Sequence, residues 1–69
     1  MSREDFKRQL LTRGRTNIQH QDRKGHLHVK DFFLTDGQHI YVRFPADKEA
    51  YYICNINQDD IIDKYILGI

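Results

Sequence analysis

The pair Asp36-Gly37 lies between two runs in which apolar and polar residues alternate. Such a pair is the strongest short-range signal for a β-hairpin, because a two-residue type I′ turn needs positive φ at both positions. The turn would place Thr35 opposite Gln38, and loop length fixes which residues of the two strands face each other. The sequence therefore predicts an antiparallel hairpin with a defined register.

This register divides the side chains of the hairpin between two faces. The facing pairs on the predicted core face are Phe33 with Ile40, Asp31 with Val42, and Val29 with Phe44. The facing pairs on the predicted outer face are Leu34 with His39, Phe32 with Tyr41, and Lys30 with Arg43. Asp31 is then directed inward, where a carboxylate requires a turn amide or Arg15 as partner, or a bulge that rotates the strand.

Two further strands are predicted beside the hairpin. Residues 17–21 form an earlier strand, joined by a turn at 22–25 that would place Ile18 opposite Val29 on the core face. Residues 51–56 form a later strand after Pro45, and they are apolar on both faces. The register of this last strand is not determined by its pattern.

A helix is predicted at each end of the chain. Ser2 is a good N-cap with Asp5 three residues on, and Gly14 occupies a helix-ending position, which predicts a helix over residues 3–13. At the other end, Asn57 is the expected N-cap and Gly68 the expected stop. The apolar stripe of this second helix consists of Ile61, Ile62, Tyr65 and Ile66.

These elements predict one α+β domain over residues 1–69, since a chain this short forms a single thin core. The order is N-terminal helix, antiparallel meander of three or four strands, and C-terminal helix packed on one sheet face. The expected contacts of the C-terminal helix on the sheet are Leu27, Val29, Ile40, Val42 and Phe44. In architecture alone, this arrangement resembles the sheet-type DNA readers of AP2 domains and of phage integrase arm domains, which lay their sheet in the major groove.

Charge is distributed unevenly along the chain. Residues 1–30 contain eight basic and three acidic side chains, whereas residues 31–69 contain three basic and seven acidic ones. An asymmetry of this kind favours an anionic partner, although the two halves could instead attract each other within the fold.

The predicted outer face combines cations, amides and aromatic rings, which are the groups that bind phosphates, base edges and unpaired bases. Lys30 opposite Arg43 is a like-charge pair that an anion would stabilise. The leading hypothesis is thus a small nucleic-acid-binding protein, with DNA favoured. Its expected binding residues are Lys30, Arg43, Tyr41, His28, His39, Gln19, Arg13, Arg15, Arg23 and Lys24.

Two alternatives remain open. A solvated sheet face with no ligand has a similar composition. A protein-interaction module, such as a small inhibitor or adaptor, would dock through Phe32, Leu34 and Tyr41 or through the acidic C-terminal half. A homodimer is compatible with either function.

Catalysis and metal binding are not indicated. The chain has no standard catalytic or phosphate-loop motif, and we expect no enzyme activity and no cofactor. His26, His28 and His39 offer a weak metal signal without a fourth ligand, so no metal site is predicted. The one cysteine, Cys54, and the lack of a long apolar run predict a cytoplasmic protein without a membrane partner.

Overall fold

The computed structural model describes residues 1–45 and 47–67, with side chains through residue 64. In chain order, its elements are helix α1 (Arg3–Arg13), strands β1 (Arg15–Gln21), β2 (Leu27–Thr35), β3 (His39–Arg43) and β4 (Tyr51–Asn55), and helix α2 (Asp59–Leu67). The strands form one antiparallel sheet in the order β1-β2-β3-β4. The predicted α+β meander is confirmed, with four strands. No helix in the described part of the chain is long and apolar enough to cross a membrane.

Helix α1 has the predicted bounds because both of its caps form. The Ser2 hydroxyl accepts a hydrogen bond from the Asp5 N–H at 3.1 Å. Gly14 adopts a left-handed conformation with φ of 76°, and its N–H donates to the Leu10 carbonyl at 2.9 Å. Phe6 and Leu10 follow at helical spacing and are both buried against the sheet.

Helix α2 begins one residue later than the sequence predicts. The N–H groups of Ile61 and Ile62 donate to the Gln58 carbonyl at 3.2 and 3.1 Å, so Gln58 and not Asn57 is the capping residue. Asn57 is used in the preceding turn, where its N–H donates to the Asn55 side-chain oxygen. Ile62 is buried, while Gly68 and the side chains of Tyr65 and Ile66 lie outside the described residues.

One hydrophobic core joins both helices to the same face of the sheet. Its fully buried members are Phe6, Leu10, Phe32, Ile40, Val42, Cys54, Ile56 and Ile62. The rings of Phe6 and Phe32 meet edge to face with centroids 5.0 Å apart. Ile40, Val42 and, in part, Phe44 belong to this core as predicted. The prediction was wrong for Leu27 and Val29, which lie outside this core because they alternate along β2 with the buried Phe32 and so point away from the helices; Leu27 is 58% exposed.

The turn between β1 and β2 contains one more residue than a simple four-residue turn would need. The Gly25 N–H donates to the Asp22 carbonyl and the Asp22 N–H to the His26 carbonyl, with Gly25 at φ of 83°. This is a type I turn followed by a bulge whose left-handed residue is glycine. Pairing therefore resumes one residue later, and Ile18 faces Lys30 instead of the predicted Val29.

The turn between β2 and β3 also departs from prediction by one residue. Asp36 and Gly37 have φ of 55° and 68°, and the Gln38 N–H donates to the Thr35 carbonyl at 3.1 Å, as a type I′ turn requires. The ladder nevertheless resumes with Thr35 opposite His39, which leaves Gln38 as an extra residue. The observed facing pairs are Phe32 with Val42, Phe33 with Tyr41, Leu34 with Ile40, and Asp31 with Arg43.

The two shifts reverse the faces of β2 and of no other predicted strand. One shift lies between β1 and β2 and the other between β2 and β3. The two shifts therefore cancel between β1 and β3, and both of these strands keep their predicted faces. Phe32 becomes a core residue at 1% exposure, and Asp31 moves to the helix-free side with its side chain partly exposed. The predicted register would have buried Asp31 and exposed Phe32 and Leu34, so the observed one avoids the penalty of an inward carboxylate.

Strand β4 contains a bulge that the sequence does not reveal. Ile40 faces Cys54 and Tyr41 faces Tyr52, which leaves Ile53 unopposed. The bulge allows Cys54 to be buried while Tyr52, two residues earlier, points to the helix-free side and is 53% exposed. Burial raises the pKa of the Cys54 thiol, with a smaller contribution from the charge of Asp60.

Candidate functional site

The sheet face opposite the helices, here called the open face, is crossed by a row of aromatic side chains. Phe33, Tyr41 and Tyr52 are direct partners on β2, β3 and β4, and Arg15 on β1 continues the same row. We call the three rings the aromatic row. The Tyr41 and Tyr52 rings are 5.6 Å apart at 66°, and the Arg43 guanidinium lies 5.3 Å from the centroid of Phe33. The open face thus combines three rings with two cations.

Polar groups flank the aromatic row on both sides. His39 is 5.9 Å from the Tyr52 ring. On the other side, Asn17, Asp31 and Arg43 are consecutive partners across the sheet. The contact between Arg43 and Asp31 measures 3.9 Å between partly exposed groups, so it neutralises Arg43 only weakly. The Arg43 guanidinium can therefore still bind an anion.

The open face contains five of the residues predicted from the sequence to bind nucleic acid. They are Arg15, Gln19, His39, Tyr41 and Arg43. Arg13 is the exposed last residue of α1, the helix on the other side of the sheet, whereas Arg23 and Lys24 are exposed in the loop between β1 and β2.

The predicted placement of Lys30 and His28 on the outer face was wrong. Both lie on the helix side of β2, because the two one-residue shifts reverse that strand. The like-charge pair expected between Lys30 and Arg43 therefore does not form, since Lys30 faces Ile18 and Arg43 faces Asp31.

The residues predicted for protein docking are mostly unavailable. Phe32 is 1% exposed in the core, and Leu34 packs against the core on the same side. Tyr41 alone of that set lies on the open face. In exchange, the structure adds Phe33 and Tyr52, which sequence reasoning missed. The sequence signal for Phe33 is the alternative phase of β2, in which Phe32 and Leu34 are buried and Phe33 points to the other face. No sequence pattern indicates the bulge that orients Tyr52.

Part of the charge asymmetry is used within the fold. The Arg3 guanidinium donates to both carboxylate oxygens of Asp63, at 2.9 and 2.6 Å, and Lys7 donates to Asp59 at 3.0 Å. The hydrogen bond from Arg3 lowers the pKa of the Asp63 carboxyl. Attraction between the two halves is thus real and is located between α1 and α2. The cations that make no ion pair within the described residues are Arg13, Arg15, Arg23, Lys24, Lys30, Lys48 and Lys64.

A histidine cluster surrounds Asp22 at the tip of the first hairpin. Its carboxylate accepts hydrogen bonds from the Lys24 and His26 N–H groups at 2.9 Å and lies 3.0 Å from His28 Nε2. The hydrogen bond with His28, followed by those from the backbone, lowers the pKa of Asp22. The described residues contain no group of three or more side chains arranged to hold a metal ion. His39 lies on the other face of the sheet from His28, so those histidines do not converge.

No protein family model, curated protein or solved structure is significantly similar to this chain. The class is therefore defined by architecture, as a two-layer α+β fold with both helices on one side of a four-stranded sheet. The other side presents the aromatic row.

Proposed function

We propose that this chain is a small nucleic-acid-binding protein that holds unpaired bases on the open face. The observation that carries the proposal is the aromatic row, which is continuous with Arg15 and flanked by Arg43. Exposed Phe and Tyr rings stack on any base, with about 1–3 kcal/mol lost per base when the ring is removed. Arginine side chains beside the rings can bind the phosphates that connect successive bases.

The position of the rings favours single strands over duplexes. The three rings lie side by side on β2, β3 and β4, where a duplex would require donors and acceptors that read paired base edges. Adjacent strand backbones are roughly 4.7–4.9 Å apart and the Tyr41 and Tyr52 ring centroids are 5.6 Å apart, so two or three successive bases could bind across the strands. DNA remains the first ligand to test, with RNA as the comparison.

The role of the aromatic row is tested by fluorescence anisotropy with short labelled oligonucleotides of mixed sequence. Tyr52→Ala removes an exposed ring, and we expect the dissociation constant for single strands to rise about 5- to 150-fold. Tyr51→Ala is the matched control, because Tyr51 is 49% exposed but faces the core residue Val42 and so lies on the helix side. Equal weakening by the two variants would count against the open face.

The role of charge is tested with two variants that each remove one cation. Arg15→Gln changes the open face, whereas Lys30→Gln makes the same charge change on the helix side. We expect Arg15→Gln to weaken binding and to reduce the salt slope by about 0.7, as for one phosphate contact with a single strand. Lys30→Gln should leave both unchanged. A wild-type chain that binds no single strand even at low salt would refute the proposal.

The same face could instead bind a protein, but Phe32 and Leu34 cannot serve as its anchors in this fold.

We further propose a cytoplasmic location, which the single buried thiol of Cys54 supports, since free cysteines persist in reducing compartments.

A further inference from the structure

The outer edge of β1 presents backbone groups that nothing in the described chain pairs. Strand order makes β1 an edge of the sheet. The Leu34 N–H donates to the Gly14 carbonyl and the Asp22 N–H to the His26 carbonyl, so the even-numbered residues of this hairpin bond across it. The N–H and C=O groups of the odd-numbered residues point away from β2. These residues are Arg15, Asn17, Gln19 and Gln21.

The two edges of the sheet differ in how well they resist pairing with another chain. Natural sheets protect edges with short strands, bulges, prolines or lysines. Strand β4 has five residues and the bulge at Ile53. Strand β1 has seven residues, an unbroken register, and neither proline nor lysine. Of the two, β1 is therefore the edge open to a further strand.

We propose that two copies of this chain pair antiparallel along β1, about a two-fold axis that passes beside Ile18. In this register Ile18 faces its own copy, Asn17 faces Gln19 of the second copy, and Arg15 faces Gln21. Each outward-pointing pair exchanges two backbone hydrogen bonds. The sheets of the two copies thereby become one continuous sheet, through an interface in which both chains use the same residues.

The side chains of β1 suit this self-pairing. Asn17, Gln19 and Gln21 are exposed, and their amides make no hydrogen bond within the described residues. In the dimer each Asn17 amide lies opposite a Gln19 amide, where both can donate and accept. No like charges face each other, and Ile18, only half-buried in one copy, packs against Ile18 of the second copy. The inference is independent of the proposed ligand, because it uses the edge of the sheet.

Sedimentation velocity over a range of protein concentrations tests the proposal, with circular dichroism to confirm that each variant is folded. Asn17→Lys combined with Gln19→Lys places lysines opposite each other at two points of the interface. We expect the dimer dissociation constant to rise at least about tenfold. Asn17→Lys combined with Gln19→Glu places opposite charges at the same two points, and this variant should dimerise at least as well as the wild type.

The charge exchange also tests the register. If the strands were shifted by two residues so that position 19 faced itself, both double variants would place like charges opposite each other at that position. Monomers from both variants would therefore overturn the proposed pairing. A dimer that survives the two lysines would place the interface elsewhere, and a wild-type chain that is monomeric at every concentration would overturn the proposal altogether.

Discussion

The phase of β2 can be tested by making the same substitution at two adjacent positions. Phe32 is 1% exposed and contacts the Phe6 ring edge to face at 5.0 Å. Phe32→Leu removes that aromatic pair, which contributes about 0.5–1.5 kcal/mol, and leaves an imperfect fit that adds up to about 1.5 kcal/mol. We therefore expect a loss of about 1–3 kcal/mol in the free energy of unfolding.

Phe33→Leu should have a much smaller effect. Phe33 lies on the open face, and its contact with the Arg43 guanidinium at 5.3 Å contributes about 0.5–1 kcal/mol at an exposed site. The difference between the two variants is thus about 1–2 kcal/mol, against about 3–5 kcal/mol for the whole stability of a core this small.

Urea unfolding followed by circular dichroism at equal protein concentration measures this difference. With a slope of about 1–3 kcal/mol per molar urea, the two midpoints should differ by roughly 0.3–2 M. The order of the variants matters more than the size of the gap. If Phe33→Leu were the more damaging change, Phe33 would be the core residue, and the assignment of faces to β2 would be refuted.

Two further predictions concern the hairpin loops. Deleting Gln38 should preserve the register, because the remaining two-residue turn still joins Thr35 to His39. The deletion removes the carbonyl that accepts a hydrogen bond from the Ile56 N–H, so urea unfolding should show a loss of about 0.5–1.5 kcal/mol in the free energy of unfolding. An unfolded variant would contradict this expectation. The pKa of Asp22 is lowered in the fold, so its contribution to stability is present above the ordinary carboxyl pKa of about 3.9 and is lost as pH falls through its folded value. As the pH is lowered, the urea midpoint should therefore fall less for Asp22→Asn than for the wild type. An equal dependence of the two midpoints on pH would show that Asp22 does not contribute to acid unfolding.

The features that could be predicted from the sequence are those set by local chemistry. Ser2 and Gly14 determine the bounds of α1 through hydrogen bonds within one turn of the helix. The alternation of Ile40 and Val42 with Tyr41 and Arg43 has only one phase that buries apolar groups, so the faces of β3 were correct. Half of the predicted binding residues lie on the open face as expected, and all of these belong to β1 or β3.

The pattern of β2 does not determine which of its two faces packs on the core, because both faces carry apolar residues. Its odd positions include Val29 and Phe33 and its even positions include Phe32 and Leu34, so both faces appear apolar. The choice then depends on loop length, where a bulge at Gly25 and an extra residue at Gln38 each shift the pairing by one. Both loops were recognised as turns, but a turn signal does not count the residues that join the ladder afterwards.

Strand β1 differs from the rest of the fold in how it is anchored. It contributes no fully buried apolar side chain, and its one buried residue is Thr16. Apart from the backbone ladder to β2, it is held by the hydrogen bond from Thr16 to Gln9 of α1 and by the partial packing of Ile18 on the core, so it can loosen without exposing a fully buried apolar side chain. A molecule that binds this strand would therefore order β1 before any other part of the fold. Amide hydrogen exchange would slow first in β1, while Phe6 and Ile62 kept their packing.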